Sequence, residues 1–178
     1  MRIRDWYFQG WERRETADGK SPLVYTGEYY RPAPGLRPAA PLLAFGLAAL
    51  YLLVALVPSP GGMWHYAAIP QLLEIIPLIY LILGAVCLLR AGDALTYRDW
   101  YASWRRMTHA AAWSLGFTGL MAAVEIAYLV LAPEPPVFSR ELPYLAGELA
   151  CAALSLVLLR FLRKRPCTRS MEGPQKEK

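Results

Sequence analysis

Four long apolar runs separated by short polar links constrain this chain more than anything else in it. They cover Ala39–Val57, Ile69–Leu89, Met107–Ala132 and Leu142–Leu159. Each approaches the roughly 20 residues that a helix needs to cross a hydrocarbon layer about 30 Å thick. In lipid the backbone must satisfy its own hydrogen bonds, so such runs are read as helices. The expected fold is an all-α integral membrane protein, a four-helix transmembrane bundle running up-down-up-down. Its domain spans 39–163, with helices at about 39–58, 68–90, 107–132 and 142–162. Composition agrees: of 178 residues, 56% are hydrophobic and 19% charged, against roughly 45–50% and 25% in soluble domains.

The net charge of +5 has a topological cause and does not point to nucleic acid. Basic residues precede the first run, flank the link between the second and third, and follow the fourth; only Arg140 falls on the other side. The positive-inside rule then places both termini in the cytoplasm of a multi-pass protein of the cell membrane. The mostly polar residues ahead of the first run argue against a secretory signal peptide. Cys87, Cys151 and Cys167 lie outside the external links and form no CxxC, so neither a disulfide nor a thiolate metal site is indicated.

Residues 1–38 are expected to form a cytoplasmic segment, with RIRDWYFQGWERR at headgroup level and the remainder extended across the inner face. In the link 91–106, Tyr97, Trp100, Tyr101 and Trp104 share one helical face, which predicts an amphipathic inner-leaflet helix running into the third span. Trp6, Trp11, Trp100, Trp104, Arg105 and Arg106 are therefore candidate lipid- or partner-docking residues, although orientation by charge alone would also explain the arginines. Arg4-Asp5-Trp6-Tyr7 recurs as Arg98-Asp99-Trp100-Tyr101, each copy ahead of a Trp and an Arg pair, which raises the prospect of two related two-helix units. Residues 164–178 carry no core-forming pattern and are expected to be a disordered tail.

The chemistry-bearing residues lie inside the apolar runs. Glu74, Glu125 and Glu148 belong to the second, third and fourth helices, and a carboxylate in a spanning helix is a functional candidate by default. Counted from the inner basic residues, they stand about 24, 28 and 23 Å up, within roughly one turn of each other in the outer half of the bilayer. Pro77 has no N–H for the Leu73 carbonyl, which frees an acceptor beside Glu74. Gln71, Tyr128 and Tyr144 lie one turn outward of the three glutamates and complete the candidate site. Carboxylates held close in low dielectric cannot all be charged, so one is expected to keep a proton that an arriving cation displaces. Ser114 and Thr118 lie on one stripe with Glu125, and Cys151 and Ser155 on one with Glu148; both stripes carry polarity inward. The alternative is that these glutamates snorkel to water or join helices by sharing a proton.

His65, between Trp64 and Tyr66, reads as a solvated histidine in an external link. Ala112, Gly116 and Gly119 make a small face on the third helix, expected to pack tightly on a neighbour and to be a candidate dimer interface. There is no Walker loop, HExxH, GxSxG or histidine cluster, so no metal, cofactor or hydrolase machinery is indicated. Three functions fit this pattern. The first is a small transporter or receptor for a cation or protonatable solute, working as a homo-oligomer. The second is a non-catalytic accessory or scaffold subunit that docks a membrane partner through its cytoplasmic aromatic segments. The third is an enzyme acting on a lipid or isoprenoid, with one glutamate as general acid.

Overall fold

The structure is a computed structural model that describes residues 10–13, 23–33, 35–57, 72–131, 138–164 and 167–170. Its element order is β1 (Trp11–Arg13), β2 (Leu23–Tyr25), β3 (Tyr29–Arg31), α1 (Leu36–Ala55), α2 (Ile75–Arg90), α3 (Tyr97–Leu131), α4 (Phe138–Lys164) and β4 (Thr168–Ser170). Three helices are long and apolar enough to cross a membrane, and α2 is a shorter apolar one. Helix makes up 77% of the described residues, compatible with the expected helical membrane bundle, but the chain is not purely α. Two small antiparallel ribbons, β1–β2 and β3–β4, cap one end of the bundle.

Each boundary has a local cause. α1 starts at Gly35, whose φ of 80° is a left-handed conformation suited to glycine. Pro38 falls in the first turn, where a missing N–H costs nothing. α2, expected from 68, runs continuously only from Ile75. Leu72 and Leu73 are helical, Glu74 is a turn, and Pro77 sits in the first turn of α2. A proline is tolerated there and would break the ladder further in. α3 begins ten residues before the expected 107, capped by Thr96, whose Oγ1 accepts from the Asp99 N–H and donates to the Asp99 carboxylate. Residues Tyr101–Arg105 then form one wide π turn before the regular helix resumes at Arg106. The helix expected to run into the third span forms the first turns of α3.

The helices alternate in direction. Arg37 at the start of α1 pairs with Asp93 and donates to the Ala91 carbonyl, just past the end of α2. At the opposite end, Gly147 of α4 lies so close to Val54 of α1 that an added Cβ would stand 2.6 Å from its Cγ2. α1 packs on α2 and α4, and α3 packs on the same two from the other side. Gly84 lets α2 approach α3, since a Cβ there would meet Met107 Cγ at 2.7 Å and the Ser103 carbonyl at 3.1 Å.

The base of the bundle, where α1 starts and α2 ends, is tied by Tyr30. Its backbone exchanges two hydrogen bonds with Leu95, at 2.8 and 2.9 Å. Its ring stacks on Trp100 at 4.7 Å and lies under the Arg169 guanidinium. Tyr29–Arg31 also pairs with Thr168–Ser170, so this part of the tail is strand and not disordered. A polar strand needs no core of its own when an edge supplies its hydrogen bonds and Glu28 lies 3.6 Å from Arg169. Residues 171–178 lie outside the described residues. Of the suspected repeat, Trp11–Arg13 is strand whereas Trp104–Arg106 is helix, and the matching Arg4–Tyr7 lies outside the described residues.

Candidate functional site: an acidic column in the bundle

α4 turns a heptad stripe toward the bundle axis. Glu141, Tyr144, Glu148, Cys151 and Ser155 are all buried on it, followed toward the base by Leu158 and Leu162. α3 faces it with Glu125, Met121, Thr118 and Ser114, followed by Ala111, Ala110 and Met107. Glu74 enters from the start of α2, only 1% exposed. Glu74, Glu125 and Glu148 thus come from three helices into one polar column, in the half of the bundle remote from the base.

Glu148 lies within electrostatic reach of Glu74, Glu125, Tyr144 and Cys151. The Glu125 and Glu141 carboxyls lie close enough to interact directly. The Tyr144 hydroxyl lies near the Glu148 carboxyl one turn along. Further down, the Ser114 and Ser155 hydroxyls lie 3.1 Å apart, and Thr118 Oγ1 donates to the Ser114 carbonyl at 2.9 Å. Below this layer the two facing stripes are wholly apolar, and Trp104 closes the base by donating its Nε1–H to the Leu162 carbonyl.

The carboxyls are under-satisfied. Both oxygens of Glu74, Oε1 of Glu125, Oε2 of Glu141 and Oε2 of Glu148 are buried without a hydrogen-bond partner among the described residues. The Tyr51 hydroxyl on α1 is in the same position. A buried polar group left so costs about 1–3 kcal/mol, and more if charged. Among the described residues no Lys, Arg or His forms an ion pair with any of the four glutamates. Nor do three His, Cys, Asp or Glu side chains converge closely enough to hold a metal ion, again among the described residues. Chemically, the column can exchange protons among its carboxyls and offer several acceptors to a guest that brings its own donors or positive charge.

Of the other sequence-derived candidates, Tyr144 is in the column and Tyr128 is half-buried one turn from Glu125, while Gln71, His65 and Trp6 lie outside the described residues. Glu141 and Tyr51 are not apparent from the sequence pattern: Glu141 follows a proline-rich stretch at 133–136, and Tyr51 sits in a run without charge. Trp104, expected at the surface, is 3% exposed inside the bundle, because the π turn brings both it and Ser103 inward. Trp100 and Trp11 are half-buried against Tyr30 and Tyr25 of their own chain. Arg105 and Arg106 remain toward the outside, over the rings of Tyr101 and Tyr80. On the small face of α3, Ala112 packs against the core, whereas Gly116 and Gly119 have open space among the described residues where a Cβ would stand, beside a shallow groove of about 320 Å³. No protein-family model, curated protein or solved structure matches this chain.

Proposed function

We propose that this protein crosses the cell membrane four times with both ends in the cytoplasm, and that its acidic column binds a small cation or protonatable solute in exchange for protons. The membrane placement is supported by the bundle's outer surface, where Leu42, Leu53, Ile79, Leu83, Trp113 and Val130 are among many large apolar side chains left exposed. A soluble monomer rarely exposes such a continuous apolar surface. Basic residues around the base, including Arg37, Arg90, Arg163 and Lys164, put that end on the cytoplasmic side by the positive-inside rule. The column then occupies the outer half, and the apolar layer separates it from the cytoplasm between transport steps.

One observation carries the functional reading: Glu74 is buried with both carboxyl oxygens unpartnered, beside three more buried glutamates that lack a basic partner among the described residues. A helix bundle held together by its glutamates would satisfy them, whereas a site awaiting a guest leaves acceptors free. The spread of the groups along the column suits protons and an elongated protonated amine better than a compact metal ion. The cytoplasmic aromatic residues seen here pack on one another, which weighs against docking as their main role.

The test is reconstitution into vesicles with an entrapped pH dye. Sodium, potassium and a short series of primary amines are added outside against an imposed pH gradient. At least one of them should dissipate the gradient with the wild-type protein, and the Glu74→Gln and Glu148→Gln variants should lose that response. Equal responses from wild type and both variants would overturn the proposal.

A further inference from the structure

A second feature lies on the outside of the bundle, between α2 and α3. There a groove of about 550 Å³ is lined at one end by Tyr80, Tyr101, Arg105, Arg106 and His109. Its other end is formed by apolar and aromatic side chains, including Leu73, Ile76, Pro77 and Phe117. We infer that this groove binds one anionic phospholipid of the cytoplasmic leaflet, with the phosphate at Arg105, Arg106 and His109 and an acyl chain along the apolar end. The inference rests on the bilayer placement and not on what the acidic column binds.

The basic end is built to hold an anion. The Arg105 guanidinium lies 4.8 Å from the Tyr101 ring centre, and that of Arg106 lies 5.8 Å from Tyr80. Stacking uses the flat face of a guanidinium and leaves the in-plane N–H donors free for a phosphate. Arg37 and Arg169 have Asp93 and Glu28 as partners, but neither Arg105 nor Arg106 makes an ion pair among the described residues. His109 is exposed on the same face of α3, one turn further along.

The dimensions favour a lipid over a soluble phosphate. From Arg105 to Phe117 the groove follows α3 for about 18 Å at the helical rise. One leaflet of a roughly 30 Å hydrocarbon core is about 15 Å deep, so the groove reaches the midplane. The Trp104–Leu162 hydrogen bond puts Arg105 level with Arg163 at the basic end of α4, where headgroups of the cytoplasmic leaflet lie. A soluble anion would make no use of the apolar half.

Native mass spectrometry of the full chain in detergent provides the test, with phosphatidylglycerol, phosphatidylcholine of the same chains, and the free glycerophosphoglycerol headgroup as probes. Wild type should retain phosphatidylglycerol in preference to phosphatidylcholine and should not retain the free headgroup. The paired change Arg105→Gln with Arg106→Gln should cut that preference about thirtyfold, as loss of two headgroup charges at about 1 kcal/mol each implies. Ile76→Trp, which fills the apolar end and keeps both arginines, should lower retention of either lipid. Arg160→Gln, a basic residue outside the groove, should change neither. Equal retention of the two lipids by wild type would overturn the anionic site and leave the bilayer placement standing. Retention of the free headgroup as strongly as the lipid, or an unchanged preference in the double arginine variant, would also overturn it.

Discussion

The two halves of the bundle share the same four helices and differ in what those helices place inside. Toward the outer end, α4 and α3 meet through Glu141, Tyr144, Glu148, Glu125 and Thr118; toward the base they meet through Leu158, Leu162, Ala111 and Met107. The base has its polar groups largely matched: Trp104 to Leu162, Thr96 to Asp99, Arg37 to Asp93. The outer half leaves five carboxyl oxygens unmatched among the described residues. Stability therefore resides mainly in the base, and the binding proposed above belongs to the half whose polar groups are poorly satisfied. Substitutions in the two halves should separate these properties.

The largest effect is expected from Glu148→Gln and Glu74→Gln. Each should reduce solute-driven proton movement in vesicles by about tenfold or more, the order expected when one differential charge interaction is lost. Thermal stability in detergent should stay level or rise, because the amide keeps the shape and removes an ionisable buried group. A parallel fall in melting temperature would mean that the outer half is structural. Leu158→Ala should do the reverse, costing about 2–5 kcal/mol by opening a cavity in the sealed base, read as an early thermal transition. Next comes Gly84→Val, which forces α2 off α3 at the Met107 contact and should cost about 1–3 kcal/mol. Gly116→Ala on the open face of α3 is the control and should be near neutral in the monomer. Apart from that control, the mildest effect belongs to Ser114→Ala, which removes one half of a buried hydroxyl pair and should cost about 0.5–1.5 kcal/mol. Adding Ser155→Ala to it should cost little more, since the partner is already lost, and a double-mutant cycle checks this.

The helices are legible in the sequence as apolar runs, and the inward faces of α3 and α4 as stripes of small polar residues. Glu74, Glu125 and Glu148 can be placed at one depth because each can be counted from an inner arginine. Glu141 escapes because the prolines at 133, 135 and 136 and the polar residues after them look like a loop; its signal is the heptad Glu141, Glu148, Ser155, Leu162, buried at every step. The Trp100–Trp104 stripe is legible as a helical face, but periodicity does not say whether a face meets lipid or protein. The π turn that buries Trp104 leaves no mark in the local pattern. Pairing of Tyr29–Arg31 with Thr168–Ser170 joins segments from opposite ends of the chain, and neither carries the apolar alternation that announces a strand.

The acidic column can be probed most directly by treating the protein in native membranes with a hydrophobic carbodiimide and mapping the adducts by peptide mass spectrometry. This reagent adds to a carboxyl group that bears a proton. Rapid labelling at Glu148 or Glu74, slowed by the same cation that collapses the vesicle pH gradient, is the predicted result. Labelling no faster in the membrane than at the surface carboxylate of Asp93, and indifferent to every cation tried, would contradict the account.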